Sequence, residues 1–149
     1  MIEIVPARAL HVREVAGRMR EADRLEVIAA TGRGELSALA ASYRQSRFRW
    51  TALVDGRPEA MFGVGDLNVL TATGIPWMLA TDAVERNRRE FLRLSVDWRG
   101  QLLARYDVLR NVVDCRNTVS IRWLRWLGFR FSDPFKIRGH EFLMFEMRA

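Results

Sequence analysis

The sequence predicts an α/β (α+β) fold with a mixed central sheet of about six to seven strands flanked by about four helices. Two short β-rich runs, residues 50–54 and 59–64, are joined by Asp55-Gly56, a dipeptide that adopts the positive φ angles of a tight hairpin turn. The segment Ile75 to Thr81 is nearly all apolar, as expected for a strand in the middle of the sheet that is covered on both faces. The 149 residues fit a single domain, residues 1–149.

The first third of the chain is predicted to be one strand followed by helices. Alternating apolar residues at positions 2–4 indicate an opening strand, which Pro6 stops. Apolar side chains at i, i+3 and i+7 then predict a helix that begins near Val12 and continues, after a break, to Gly32-Arg33-Gly34. A further amphipathic helix follows over residues 36–43.

A long helix is predicted from about Asn87 to Tyr106, after the middle strand. Asn87 and Glu90 have the spacing of a capping box. In this motif the side chain of the first residue accepts from the backbone N–H of the second, and the side chain of the second accepts from the backbone N–H of the first. The core stripe of this helix consists of Phe91, Leu94, Trp98 and Leu102.

The last third is predicted to contain a strand, a helix and two further strands. The strand runs from Val108 to Asp114. Asn117 can cap the helix that follows, and Gly128 is placed to end it in a left-handed turn. Residues 135–137 and 141–147 then predict two closing strands.

The formal net charge is +6, and Lys136 is the one lysine among 24 basic residues. A basic surface favours DNA, RNA or acidic partners because binding releases counterions. The arginines are scattered rather than gathered in one run, so nucleic-acid binding is not expected to be the main function. Contact with packaged DNA through the basic surface remains an expectation.

The cysteine and histidine content argues against a metal site. Cys115 is the single cysteine, and His11 and His140 lie far apart in the sequence. A structural metal site commonly needs four such ligands, so we expect no metal and no internal disulfide. Charged residues interrupt every apolar run near the N-terminus, so we expect neither a signal peptide nor a membrane span.

The segment Asn111 to Phe129 carries the most specific local pattern. Proteins of the N-acetyltransferase-like (GNAT) fold often have a segment of the form N-x-x-A-I-R-L-Y-E-K-L-G-F after the fifth strand. The residues in corresponding places here are Asn117, Ser120, Ile121, Arg122, Leu127, Gly128 and Phe129. Together with the element order, this segment resembles the GNAT fold.

The resemblance implies a coenzyme A site, but its glycine loop does not carry over. Active members have a glycine-rich turn after the fourth strand, whose backbone N–H groups bind the coenzyme diphosphate. No glycine occurs from Ile75 to Arg99. Losing about three charge-assisted hydrogen bonds would lower affinity by about 10³-fold. The candidates for touching the coenzyme instead are Arg86, Arg88, Arg89 and Asn117, and the alternative for the arginines is a solvated helix face.

The general acid of the family is also missing. Many members use a tyrosine in the helix after the fifth strand to protonate the departing thiolate, and Leu124 occupies its place. The remaining candidates for acid–base or nucleophilic roles are Asp82, Asp114, Cys115 and, from elsewhere in the chain, Tyr106. The alternatives are that the aspartates form turns or caps and that the thiol is inert.

A narrower resemblance covers about Trp77 to Phe145. This half looks like the GNAT-like internal virion (core) protein A family of short-tailed bacteriophages, which also lacks the glycine loop and the tyrosine. The shared features are the tryptophan-led fourth strand ending in Thr81-Asp82, the sequence Arg105-Tyr106-Asp107, and the NT-x-x-I-R-x-L pattern from Asn117 to Leu124.

This resemblance implies a virion component, inside the head or at the head-to-tail junction, without efficient acetyl transfer and without a cofactor. Its partners would be core, portal or tail proteins, an oligomer is compatible with this role, and its locations would be the virion and, during assembly, the host cytoplasm. The candidate docking patch consists of Arg122, Trp123, Arg125 and Trp126. The alternative for the patch is that one tryptophan packs in the core. The alternative function is an N-acetyltransferase that binds acetyl-CoA through strand-four N–H groups and the arginines.

Overall fold

A mixed sheet of eight strands lies at the centre of the structure, a computed structural model that describes residues 1–149. The strands are β1 (Ile2–Pro6), β2 (Phe48–Val54), β3 (Arg57–Asn68), β4 (Thr73–Ala80), β5 (Val108–Asp114), β6 (Arg130–Phe131), β7 (Phe135–Ile137) and β8 (His140–Arg148). Their order is β1-β2-β3-β4-β5-β8-β6, and β7 pairs with β8. The predicted middle strand, β4, is therefore at the centre of this order. Only β4 and β5 pair in parallel.

Six helices flank this sheet. They are α1 (Ala9–Gly17), α2 (Glu21–Thr31), α3 (Glu35–Gln45), α4 (Ala83–Arg86), α5 (Arg88–Leu103) and α6 (Thr118–Leu127). None is long and apolar enough to cross a membrane. The short helix α4, a separate turn before α5, was not predicted, whereas the break expected in the first helical region is present between α1 and α2. The interruption occurs where Met19 forms a bridge with Thr81 and the Arg20 N–H donates to the Ala80 carbonyl.

The helices cover both faces of the sheet. Val15, Leu39 and Met61 belong to a buried cluster formed by α1, α2, α3 and one side of β3 and β4. Phe62 and Phe91 belong to a second cluster, on the side covered by α5. Since neighbouring strand residues point to opposite faces, the step from Met61 to Phe62 separates the two layers.

Several predicted turns and caps are confirmed. Asp55 and Gly56 have φ angles of 50° and 85°, and they join β2 to β3 as a hairpin. Gly32 and Gly128 end α2 and α6 in the left-handed conformation. The Asn117 side chain accepts a hydrogen bond from a backbone N–H of α6 and caps this helix.

The predicted capping box of α5 is wrong. The Asn87 side chain makes no cap hydrogen bond and instead donates to the Ala83 carbonyl at 2.8 Å. The Glu90 carboxylate accepts from the Ile2 N–H, at 3.1 and 3.2 Å to its two oxygens. A contact with the first strand, 88 positions away, therefore outcompetes the local motif.

The two central strands diverge soon after they meet. β4 and β5 pair only at Thr73–Val108 and Gly74–Leu109. Pro76 follows on β4 and has no N–H to continue the ladder. Its carbonyl accepts a hydrogen bond of 2.8 Å from the Asn111 side chain, which bridges the strands. A gap therefore opens between the carboxyl ends of β4 and β5.

Candidate functional site

Five polar side chains from α2, α6 and the segments before them meet at this gap, and we call them the polar plug: Arg20, Asp23, Glu26, Asn117 and Ser120. The Arg20 guanidinium donates to Asp23 Oδ2 at 2.8 Å and to Ser120 Oγ at 3.1 Å. Asn117 Nδ2 lies 3.3 Å from both Asp23 Oδ1 and Glu26 Oε1. Arg20, Asp23, Asn117 and Ser120 are buried, so this ion pair and its hydrogen bonds are shielded from solvent. Glu26 as a whole residue is half-buried, but its carboxyl group is surrounded by protein atoms.

The polar plug also binds the backbones of both central strands. The Ala80 N–H of β4 donates to Asp23 Oδ2 at 3.0 Å. The Asp114 N–H of β5 donates to Glu26 Oε1 at 2.8 Å. Buried backbone N–H groups need partners, and here the chain's own carboxyl groups supply them. The N–H groups of Ala80 and Asp114 therefore already have hydrogen-bond partners within the protein.

The pKa of Glu26 is raised from 4.5 to about 8. Burial is the main cause, and the nearby Asp23 charge adds to it, whereas the hydrogen bond from the Asp114 N–H acts in the opposite direction. The Glu26 carboxyl group is therefore mostly neutral at pH 7. A cavity of about 490 Å³ borders this carboxyl group and is lined by Pro76 and Asn111 across the gap.

The turn after β4 folds back on itself. The N–H groups of residues 84–87 donate to carbonyls of residues 81–83 at 3.1 to 3.4 Å, which creates the short helix α4. The backbone donors of this turn are therefore used internally, in the position where a glycine loop would turn its N–H groups toward a diphosphate.

A groove of about 530 Å³ separates the α4–α5 corner from α6, and we call it the α5–α6 groove. It is lined by Arg20, Met78, Val84, Glu85, Arg88, Phe91, Leu92, Val119, Ser120, Arg122, Trp123 and Trp126. Of the predicted coenzyme-binding arginines, Arg88 lines this groove, and Arg86 and Arg89 are exposed beside it in sequence. Asn117 is buried in the polar plug.

The predicted acid–base and nucleophilic candidates do not form one constellation. Asp82 is exposed and makes no cap hydrogen bond at the start of α4. Asp114 is buried and paired with Arg116, at 2.7 Å between Oδ2 and Nη2. Although burial acts to raise it, the pKa of Asp114 is lowered, because hydrogen bonds from Arg116 outweigh burial. Burial raises the pKa of the Cys115 thiol, so the thiol is protonated at pH 7.

No tyrosine lines the gap. Leu124, at the place of the family's general acid, belongs to the core cluster under α5 and α6. The Tyr106 hydroxyl donates to Asp66 at 2.6 Å. Burial raises the pKa of Tyr106 to about 12, with Asp66 as a further cause.

The four residues of the predicted docking patch have different surroundings. Trp123 is half-buried and lies parallel to Trp98, with ring centroids 6.3 Å apart. Trp126 is 56% exposed. Arg122 is exposed at the α5–α6 groove, and the Arg125 guanidinium lies 5.2 Å from the ring centroid of Phe131.

Sequence reasoning missed Arg20, Asp23 and Glu26. One signal was present, since Asp23 and Glu26 are three residues apart and lie on the same helix side as the buried Val27. Carboxylates on a buried face need partners. The partners of these carboxylates, however, lie in β4, in β5 and at the N-cap of α6, at separations of up to 94 positions.

Comparison with known sequences finds one phage family. The model of the family described as "Bacteriophage T7, probable scaffold protein Gp13" matches residues 66–136. The "Probable scaffold protein gp13" of Escherichia phage T7 is 33% identical over 73 residues, which are 46% of this chain. The match spans about half, 52%, of that relative's length.

Comparison with solved structures finds N-acetyltransferases over the whole chain. The GCN5-related N-acetyltransferase from Brucella melitensis has a TM-score of 0.71 and 12% identity, covering 99% of this chain and 75% of that chain. The ribosomal-protein-S18-alanine N-acetyltransferase from Escherichia coli has a TM-score of 0.67 and 15% identity, covering 99% of this chain and 94% of that chain. The GNAT acetyltransferase from Streptococcus pneumoniae has a TM-score of 0.65 and 13% identity, covering 100% of this chain and 99% of that chain. Identities this low show the fold alone. The chain thus has the GNAT fold, as predicted, and its sequence is similar to the phage T7 scaffold family over residues 66–136.

Proposed function

We propose that this chain is a structural component of a bacteriophage particle that uses the GNAT fold as a scaffold and transfers acetyl groups inefficiently or not at all. The observation that carries the proposal is the polar plug, which binds the ends of both central strands with the chain's own side chains. The similarity of residues 66–136 to a probable phage scaffold protein supports the structural role.

The carboxyl groups at the gap are also tied up in contacts within the chain, which supports inefficient acetyl transfer. A general base near the acceptor amine must be able to take up a proton at the working pH. Asp114 is held ionised by Arg116, which makes it a weak base. Glu26, with its pKa raised to about 8, is the one carboxyl group here that could exchange a proton near neutral pH, but its Oε1 already accepts a hydrogen bond from the Asp114 N–H of β5. Because the strand-end N–H groups and the turn after β4 bind groups of the chain itself, we also expect no cofactor.

The β3–β4 hairpin offers a surface for contact with another virion protein. Leu67, Val69 and Leu70 at its tip are 50%, 74% and 98% exposed. The tip is ordered by hydrogen bonds, since Asn68 accepts from the Thr71 N–H at 3.2 Å. Clustered exposed apolar residues commonly mark protein contacts. We propose that this tip inserts into an apolar recess of a core, portal or tail protein, inside the head or at the head-to-tail junction.

The experiment is quantitative protein analysis of purified particles produced with wild-type or variant chain. We expect a fixed copy number for the wild type and a lower copy number for Leu70→Asp. The matched control is Leu10→Asp, because Leu10 is 53% exposed on α1 and away from the hairpin tip. Absence of the wild-type chain from particles would contradict the structural role, and equal incorporation of both variants would contradict the contact surface.

An N-acetyltransferase is the second candidate function, and the α5–α6 groove beside the gap is the observation that favours it. Arg88 lines this groove and has no carboxylate partner. If this candidate holds, coenzyme A binds with micromolar affinity, and Arg88→Ala and Arg89→Ala weaken the binding.

A further inference from the structure

Six exposed arginines lie on the helices that border the α5–α6 groove: Arg86, Arg88, Arg89, Arg93, Arg122 and Arg125. None of them has a carboxylate oxygen within 4.0 Å. Four carboxylates belong to the same segments: Glu85 lies 3.7 Å from buried Arg20, Glu90 binds the Ile2 N–H, and Asp82 and Asp97 are exposed, so the arginines outnumber them six to four. Arg88 and Arg122 line the groove itself, and we call the groove and the six arginines of its helices the arginine face.

Two of these arginines lie where a positive charge lowers the stability of the free protein. Arg88 and Arg89 occupy the first two positions of α5. The N-terminal end of a helix carries a partial positive charge, so cations there are unfavourable and anions are favourable. An anionic ligand would relieve this repulsion and would also pair with the unpartnered guanidinium groups. Charge complementarity therefore calls for a polyanion.

The shape and composition of the α5–α6 groove indicate which polyanion. Its walls are largely apolar, and the indole of Trp126, on its rim, is 56% exposed. On α6, Arg122 lines the groove together with Trp123 and Trp126, so a guanidinium group and an exposed indole border the same groove. Proteins bind single-stranded nucleic acids by combining cations for the phosphates with aromatic rings on which the bases stack.

We propose that the arginine face binds single-stranded nucleic acid, with phosphates on Arg88 and Arg122 and a base stacked on Trp126. A single strand fits better than a duplex, because only unpaired bases can enter the groove. A nucleic acid fits better than an acidic peptide, because carboxylates would satisfy the arginines but leave the indole exposed. This activity is additional to the structural role proposed above.

The test is fluorescence anisotropy with a labelled oligothymidylate of about 20 nucleotides. If about four phosphates are contacted, the slope of log K against log salt is about −3, and affinity falls about 50-fold between about 50 and about 200 mM salt. The double variant Arg88→Gln/Arg122→Gln should bind at least about tenfold more weakly, with a slope reduced by about 1.4.

A matched control removes the same charge from the opposite side of the sheet. Arg13 on α1 and Arg44 on α3 are exposed and have no carboxylate partner, so Arg13→Gln/Arg44→Gln should bind within about threefold of the wild type. Trp126→Ala should weaken binding at least about fivefold, and Trp126→Phe should restore most of it. Unchanged thermal unfolding would show that each variant is folded.

Four outcomes would overturn the proposal. The first is no saturable binding of the oligonucleotide at low salt. The second is equal loss of affinity in the arginine-face and control variants, which would mean that net charge alone attracts the strand. The third is a duplex of the same length that binds as tightly, and the fourth is polyglutamate that competes as well as the oligonucleotide, which would indicate an acidic protein partner.

Discussion

Replacing Glu26 by glutamine should remove a large part of the pH dependence of stability in this protein. Burial raises the pKa of the Glu26 carboxyl from 4.5 to about 8 in the folded state. The folded protein therefore binds more protons than the unfolded chain between these values, and the free energy of unfolding falls as pH rises through this window. Glutamine keeps an oxygen that can accept from the Asp114 N–H, and it does not titrate.

The size of this change in the free energy of unfolding follows from the shift in the pKa of Glu26. Each pKa unit corresponds to about 1.4 kcal/mol, so the change from 4.5 to about 8 corresponds to a limit of about 5 kcal/mol. Most of this limit, about 3 to 4 kcal/mol, is expected between about pH 5 and about pH 8. That is a large fraction of the roughly 5 to 15 kcal/mol that stabilises a typical domain.

The assay is urea unfolding of the wild type and Glu26→Gln at several pH values in this range. The variant should gain stability relative to the wild type as pH rises, by about 1 kcal/mol per pH unit. The lowered pKa of Asp114 keeps this group ionised throughout the range, and His11, which does not perturb Glu26, is present in both proteins, so its contribution cancels in the difference. Parallel curves would refute the reasoning, because they would mean that the Glu26 carboxyl is ionised in the folded protein.

Two further perturbations test the packing around the gap and within the sheet. Arg20→Ala should lower the free energy of unfolding by about 3 to 5 kcal/mol, because it leaves the buried Asp23 carboxylate without its cation. A loss below about 1 kcal/mol, measured by urea unfolding, would contradict this expectation. Gly63→Ala should cost more than about 2 kcal/mol, since a Cβ at this position would lie 2.5 Å from the Phe48 carbonyl oxygen. Gly100→Ala is the matched control, because nothing lies within 4 Å of its Cβ position on α5, and it should gain up to about 1 kcal/mol. Thermal unfolding that ranks the two glycine variants in the opposite order would refute the packing argument.

The parts of the fold that could be predicted from the sequence depend on local physics. Asp55-Gly56 forms its hairpin because these residues tolerate positive φ angles. Gly32 and Gly128 end their helices for the same reason. The middle strand was recognisable because burial on both faces requires a continuous apolar run.

The parts that could not be predicted depend on partners distant in the sequence. A break in the first helical region was expected, but its position was not, because it depends on the pairing of Met19 with Thr81 at the end of β4. The capping box of α5 fails because Glu90 is engaged by the N–H of Ile2. Hydrophobic periodicity and capping patterns describe neighbours along one element, so they do not contain these contacts.

The candidate site, too, was predictable from the sequence in some features and not in others. The missing glycines after β4 and the leucine at position 124 were visible in the sequence, because the resemblance to the GNAT fold supplied the pattern from which these residue types are absent. The polar plug was not visible, because Asp23 and Glu26 gain their meaning only when α2 meets the ends of β4 and β5. The role of Asn117 was seen in part, as the cap of α6.

The most direct measurement of whether the gap still accepts a coenzyme is calorimetric titration of the wild-type chain with acetyl-CoA, followed by an assay for released thiol. With Asp23 and Glu26 bound to the strand ends, we expect no saturable binding up to about 1 mM and no thiol release above background. A micromolar dissociation constant that Arg88→Ala weakens, together with turnover on an amine acceptor, would contradict the proposal that this protein is a scaffold without acetyl transfer.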